Sequence, residues 1–196
     1  MYNTASLLLA GIVFLAMLSI VYASWKNGIS PMPSSAPTRH AVAKEINQFS
    51  GRGTIVEAGS GWGTLALHLL RHCPGWRIIG VENSPIPLWI SRLLARMAFL
   101  KRSGDSAVTG APITYIHGDI YDYPYETADV VVCYLYPGAM KRFSVILGDR
   151  LAPHARIVSI CFALPGWRPE RVITCGDVFL TKVYVYTVEG IDRRAS

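Results

Sequence analysis

Thr54–Thr64 reads TIVEAGSGWGT, and this stretch decides the fold. A short β-branched run comes first and ends at the carboxylate of Glu57, which is typical of a buried parallel strand. Three glycines then alternate with other residues, and the segment up to Leu70 continues with leucines at helical spacing. Glycine permits a positive φ and lets a ligand approach the backbone. The stretch therefore predicts a strand, a tight turn and a helix that begin a nucleotide-binding α/β unit.

The spacing of the glycines distinguishes between two cofactors. The NAD fingerprint is G-x-G-x-x-G, and its third glycine, counted from Gly59, would fall at Thr64. The third glycine is instead Gly63, and E-x-G-x-G-x-G resembles the first motif of class I S-adenosylmethionine (SAM) methyltransferases. SAM carries an ammonium and a sulfonium group, which suit a neighbouring carboxylate better than a pyrophosphate does. The predicted SAM-binding residues of this turn are Glu57, Gly59, Ser60, Gly61 and Gly63.

Acidic residues also follow the next two predicted strands. Arg77–Glu82 is a second buried strand, and Glu82 is placed to accept hydrogen bonds from ribose hydroxyls. The alternative is that Glu82 only caps the following helix. A third strand, Ile113–His117, leads to Asp119 and Ile120, where SAM folds commonly bind the adenine amino group and pack on the ring. The predicted cofactor site is completed by Glu82, Asn83, Asp119 and Ile120.

The fourth predicted strand, Ala128–Cys133, is apolar at nearly every position and ends before two tyrosines. Ligands of open parallel sheets bind beyond the carboxyl ends of the strands, so this segment is predicted to line the reaction centre. Tyr134 and Tyr136 are candidate catalytic residues together with Asp119. Alternatively, the two tyrosines are aromatic residues that only cover the core.

The remaining pattern predicts how the sheet ends. A fifth strand is expected over Ala155–Phe162, and the alternating segment Val178–Val188 predicts a terminal antiparallel strand. The predicted fold is therefore α/β, with a Rossmann-like, mostly parallel sheet and an antiparallel C-terminal strand.

The N-terminus predicts a membrane anchor. Ala5–Ala23 is apolar or small throughout, and no charged residue precedes Lys26. As a helix this run is about 28 Å long, enough to span a bilayer. Since basic residues follow it, the positive-inside rule predicts a single-pass membrane protein with a cytoplasmic catalytic domain. A cleaved signal peptide is the alternative. The predicted organisation is a transmembrane anchor at 1–27, a Pro/Ser-rich linker at 28–40 and a methyltransferase domain at 41–196.

Composition limits the partners. The 196 residues are 51% hydrophobic and 16% charged, with a net charge of +6. This charge is compatible with an anionic membrane surface, but no dense Lys/Arg block indicates nucleic-acid binding. The four cysteines are isolated and lack C-x-x-C spacing. We therefore expect no metal, no disulfide framework and a reducing compartment.

Two longer motifs resemble one methyltransferase family. They are the segment from Val81 to Arg92, VENSPIPLWISR, and the segment from Arg156 to Trp167, RIVSICFALPGW. Together with the glycine turn they resemble the membrane-associated protein-lysine methyltransferases of adenine nucleotide translocase and of the ATP synthase c-subunit. The family usually has an acid where this chain has Trp62. The resemblance implies methyl transfer from SAM to a lysine ε-amine of a membrane protein.

Three other functions stay open at this point. A lipid or hydrophobic small molecule would be an equally suitable acceptor for a membrane-anchored methyltransferase. The chain could also be a membrane-tethered module that binds a nucleotide without catalysis, or a nicotinamide enzyme.

Overall fold

Seven strands in the described part of the chain form one sheet. The structure, a computed structural model, describes residues 3–27, 33–50, 52–102 and 113–190. The strands are β1 (Thr54–Ala58), β2 (Arg77–Glu82), β3 (Thr114–His117), β4 (Val130–Cys133), β5 (Arg156–Ile160), β6 (Arg171–Thr174) and β7 (Lys182–Thr187). The helices are α1 (Thr4–Asn27), α2 (Ala36–Ile46), α3 (Thr64–His72), α4 (Pro85–Arg102) and α5 (Pro137–Arg150).

The order of the strands places β1 near the centre. The sheet runs β3-β2-β1-β4-β5-β7-β6, and the first five strands of this order are parallel. β7 is antiparallel to both of its neighbours, which confirms the predicted mixed sheet with an antiparallel C-terminal strand. The chain order reverses between β1 and β4. Open α/β sheets generally bind ligands at such a reversal, so a ligand is expected beyond the carboxyl ends of these two strands.

Helices cover both faces of the sheet. Alternate residues of the buried strands point to opposite faces, so each strand contributes to two cores. On one face Ile55 packs with Val42 of α2 and Leu69 of α3. On the other face Val56 packs with Phe143 of α5. All five of these side chains are fully buried, and they fix α3 and α5 beside the ends of β1 and β4.

The N-terminal prediction needs a correction. Thr4–Asn27 is helical, as predicted. The prediction of a transmembrane helix is wrong, however, because none of the helices in the described ranges is long and apolar enough to cross a membrane. A bilayer span requires both properties in one helix. The predicted single-pass topology depended on that span and is not supported.

The predicted linker is only partly described. Its residues 28–32 lie outside the described residues, as do residues 103–112 between α4 and β3. The chain is described again from residue 33. There Ser35 caps α2, because its hydroxyl accepts a hydrogen bond from the Thr38 backbone N–H at 3.3 Å.

The C-terminal strand is shorter than its alternating pattern predicts. Within the predicted segment Val178–Val188, only β7 is a strand, and residues 178–181 belong to the connection that joins it to β6. The carboxylate of Asp177 accepts hydrogen bonds from the backbone N–H of Thr181 at 2.7 Å and from its hydroxyl at 2.6 Å. Such a side-chain turn interrupts the extended conformation. We call residues 178–180 the hairpin tip.

Candidate functional site

The glycine turn between β1 and α3 has the conformation that its sequence predicts. Gly59, Gly61 and Gly63 have φ values of 76°, 50° and 73°, which are unfavourable for other residues. A Cβ at Gly63 would overlap the hydroxyl of Tyr115, and that hydroxyl donates to the Gly63 carbonyl at 3.2 Å. The positive φ values and the hydrogen bond from Tyr115 of β3 therefore fix the conformation of the turn.

Glu57 lies in β1 immediately before this turn. Its side chain is only 6% exposed, and Oε2 has no hydrogen-bond partner among the described residues. Burial raises the pKa of Glu57 to about 8; a hydrogen bond from the Ala66 backbone N–H opposes this shift, and the charge of Glu82 adds to it. An unpaired buried carboxyl oxygen is costly, so the position favours a ligand that donates a hydrogen bond or carries positive charge.

Ser60 supplies a second unpaired polar atom in the same turn. The residue is 5% exposed, and its Oγ likewise finds no partner in the described part of the chain. Its backbone N–H and that of Gly59 both donate to the Val81 carbonyl at 3.0 Å. The backbone of the turn is thus held in place while two side-chain oxygens stay unpaired. These two oxygens fit the polar groups of SAM.

Glu82 holds the turn from the end of β2. Its Oε2 accepts from the Gly61 backbone N–H at 2.7 Å, and its Oε1 accepts from the Ser84 backbone N–H at 2.8 Å. Each carboxylate oxygen has a second lone pair, so ribose hydroxyls can share this acceptor. These two hydrogen bonds show a structural role for Glu82 at the glycine turn and at the start of α4, close to the alternative interpretation, whereas ribose binding stays a prediction. Asn83 follows as an exposed residue.

Asp119 and Ile120 lie next to this end of β2. The backbone N–H of Gly118 donates to the Glu82 carbonyl at 3.1 Å, which brings the two predicted segments together. Asp119 is exposed, and its Oδ1 accepts from the Tyr121 backbone N–H at 2.9 Å. Ile120 packs against the core on the α5 side. Glu57, Glu82 and Asp119 thus lie on or just after three adjacent strands, as the sequence predicts.

The two predicted tyrosines pack on opposite faces of the sheet. Tyr134 packs against the core on the α2 and α3 side, whereas Tyr136 packs against the core on the α5 side. Burial raises the pKa of the Tyr134 hydroxyl, with further contributions from Cys161 and Asp177. The phenol therefore stays protonated at neutral pH. The structure does not bring the two side chains together on one face.

Two residues missed by sequence reasoning help to shape the site. Leu135, between the tyrosines, is buried, and its Cδ2 lies 3.1 Å from where a Cβ on Gly59 would stand. Asp177 accepts from the hydroxyls of Ser35 at 2.8 Å and Thr38 at 3.1 Å. It thereby ties the start of α2 to the β6–β7 connection. The pair Gly176-Asp177 is an ordinary turn signal. The sequence does not show, however, that Asp177 binds Ser35 and Thr38, which lie far away in the chain.

Comparison with known families gives a match over more than half of the chain. The model of the ANTKMT methyltransferase domain matches residues 57–171. This range begins at the unpaired glutamate and includes the glycine turn, β2 to β5 and α3 to α5.

Three curated proteins illustrate the similarity. The chain is 27% identical over 146 residues to the human lysine N-methyltransferase of the ATP synthase C-subunit, covering 73% of this chain and 57% of that protein. It is 25% identical over 156 residues to a protein-lysine N-methyltransferase of Saccharolobus islandicus, covering 78% and 91%. It is 29% identical over 161 residues to mouse adenine nucleotide translocase lysine N-methyltransferase, covering 81% and 64%. The chain thus spans less than two thirds of both mammalian relatives.

Solved structures show the same fold. An RNA methyltransferase from Salinibacter ruber, bound to S-adenosyl-L-homocysteine, superposes with a TM-score of 0.69 at 23% identity over 84% of this chain and 99% of that one. The rRNA methyltransferase AviRa from Streptomyces viridochromogenes gives 0.59 at 14% identity over 84% and 90%. At such identities the likeness establishes the fold, that of class I methyltransferases, and not the acceptor.

Proposed function

Because the chain belongs to the ANTKMT methyltransferase domain family, we propose that it transfers a methyl group from SAM to a lysine ε-amine of a membrane protein. The family resemblance predicted from the sequence is confirmed, and it supports the assignment as a SAM-dependent methyltransferase. The acceptor is the proposed part. The named relatives are lysine methyltransferases of the ATP synthase C-subunit and of adenine nucleotide translocase, which supports a protein acceptor of this kind.

One observation of the site carries the proposal. The unpaired oxygens of Glu57 and Ser60 lie at the glycine turn, where the strand order reverses. Glu57 and Ser60 would hold the cationic and polar groups of the cofactor, while Glu82 would share its carboxylate with the ribose. Asp119 and Ile120 would bind the adenine. These roles extend the sequence predictions and are proposals.

The hairpin tip supports an apolar protein acceptor. Val178, Phe179 and Leu180 are 94%, 84% and 64% exposed. β6 runs parallel to β5, since both pair antiparallel with β7, so the tip lies at the carboxyl edge of the sheet with the glycine turn. An exposed apolar group at the same edge as a candidate active site favours contact with an apolar partner surface.

For methyl transfer, the protein mainly has to position the two reactants and to exclude water from them. When bound, SAM would supply an electrophilic methyl group to the lysine nitrogen, and its sulfur would leave with the electron pair of the broken bond. The lysine must first lose its proton, and an aromatic environment lowers the pKa of an amine by burial. Tyr134, protonated at neutral pH, can orient the neutral amine through its hydroxyl oxygen. Asp119 and Tyr136 complete the proposed catalytic residues.

A lipid or hydrophobic small molecule is the second candidate acceptor. The same exposed apolar tip would suit it. We therefore propose to incubate the protein with membranes and tritiated SAM, and to separate the products into protein and lipid fractions. Methyllysine in the protein fraction is the expected result, and its yield should fall in the variant Glu57→Gln, which binds SAM more weakly. Label confined to the lipid fraction would contradict the protein acceptor and leave the methyltransferase assignment intact.

A further inference from the structure

Three histidines outside the cofactor site converge between two helices. His40 lies on α2, and His68 and His72 lie one turn apart on α3. One ring nitrogen from each residue lies within 4.8 Å of the other two. The ring centroids are 4.0 Å apart for His68 and His72, 4.6 Å for His40 and His68, and 5.5 Å for His40 and His72. Residues four apart on a helix share a face, so α3 supplies two neighbouring imidazoles to the third.

Backbone hydrogen bonds determine which nitrogen of two rings is available. Nδ1 of His40 lies 2.9 Å from the Ala36 carbonyl, and Nδ1 of His72 lies 2.8 Å from the His68 carbonyl. A carbonyl can only accept, so Nδ1–H is the donor in both rings. In the neutral form of such a ring, Nε2 carries the lone pair. Metal-binding imidazoles are oriented in this same manner, with the other ring nitrogen donating to a carbonyl or carboxylate.

The third ring has an unpaired nitrogen. Nε2 of His68 is buried and without a hydrogen-bond partner in the ranges that the structure describes. Stacking of three surface imidazoles would explain their proximity, but it would not explain a buried nitrogen without a partner.

We propose that His40, His68 and His72 form a binding site for a transition-metal cation, with Zn²⁺ as the first choice. Three imidazoles with a fourth position for water are an established zinc ligand set. Zinc–nitrogen bonds of about 2.0–2.1 Å place tetrahedral ligands about 3.4 Å apart, so small side-chain rotations would close the present separation. Imidazole also suits Cu²⁺ and Ni²⁺. Arg39 and Arg71, whose charges reach His68, moderate the affinity for any cation.

The site would connect α2 to α3. α3 begins at the glycine turn, and α2 is held to the hairpin connection by Asp177, so a bound metal would link two elements that flank the candidate functional site. A cation that binds only the folded chain also stabilises it. The cysteine spacing, which led us to expect no metal, gives no information on a site made of histidines alone.

The test uses the full chain without a polyhistidine tag. Co²⁺ is added as a spectroscopic substitute for Zn²⁺, and Zn²⁺ affinity is then measured by competition. We expect one metal per chain, visible d–d absorption typical of tetrahedral Co²⁺, and a melting temperature raised by roughly 5–10 °C at Zn²⁺ concentrations near a hundred times Kd. His40→Ala and His72→Ala, which change exposed residues, should each weaken Zn²⁺ binding at least tenfold.

The matched control is His154→Ala, an exposed histidine that pairs with Asp129 instead. It should bind Zn²⁺ like the unsubstituted protein. The proposal is overturned if the protein binds no metal at one per chain, or if His40→Ala and His72→Ala bind it as tightly as His154→Ala. Circular dichroism shows whether each variant is folded, and His68→Ala adds a third test where it folds. None of these results depends on methyl transfer.

Discussion

The buried carboxyl group of Glu57 makes the chain sensitive to pH. Its pKa is about 8 in the folded protein and near 4.5 ordinarily, so between these values the folded state binds the proton more tightly than the unfolded chain. The free energy of unfolding without SAM should therefore fall as pH rises from 5 to 8, by on the order of 3–5 kcal/mol. Glu57→Gln should remove this slope while weakening SAM binding about tenfold or more. Urea titrations across this pH range and calorimetry with SAM measure the two effects. The exposed Glu126→Gln is the control, and a slope that persists in Glu57→Gln would contradict the assignment.

At the scale of the elements, the sequence predicts a feature well when adjacent residues determine it, and poorly when the feature depends on contacts between residues far apart in the chain. The glycine turn and the apolar strands β1 to β5 are recognisable because adjacent residues determine them. The join between α2 and the β6–β7 connection is different, since Asp177 meets Ser35 across 142 positions of the chain. The cluster of His40 with His68 also joins two separate elements. Glu82 accepts two backbone hydrogen bonds, a role that its residue type alone does not reveal.

The join at Asp177 gives a prediction at the same scale. Hydrogen bonds from Thr181 chiefly lower the pKa of Asp177 to about 2, so the charged form is favoured in the folded state. Its stabilising effect is present above the ordinary pKa near 3.8 and is lost as pH falls towards 2. Asp177→Ala should speed hydrogen exchange of the Thr181 amide, which loses its acceptor at 2.7 Å. Exposed Asp122→Ala should leave that amide unchanged. Equal exchange in both variants would show that the carboxylate does not hold the turn.

For the whole molecule, the proposed function assigns cofactor binding and acceptor binding to different elements, and this separation can be tested at the hairpin tip. The glycine turn lies at the end of β1, whereas the tip belongs to the connection between the last two strands. Phe179 is 84% exposed, and a partner surface that buries it would gain about 1.5–3 kcal/mol. Phe179→Ser should therefore raise the KM for a membrane-protein acceptor about tenfold or more, with the Kd for SAM unchanged. Val145→Ser, which alters an apolar side chain 63% exposed on α5, should change neither constant. An unchanged KM in Phe179→Ser would exclude the tip as the acceptor surface. A loss of SAM affinity in Phe179→Ser would instead mean that the tip supports the cofactor site. A surface that contacts only the acceptor should not change the affinity of the glycine turn for SAM.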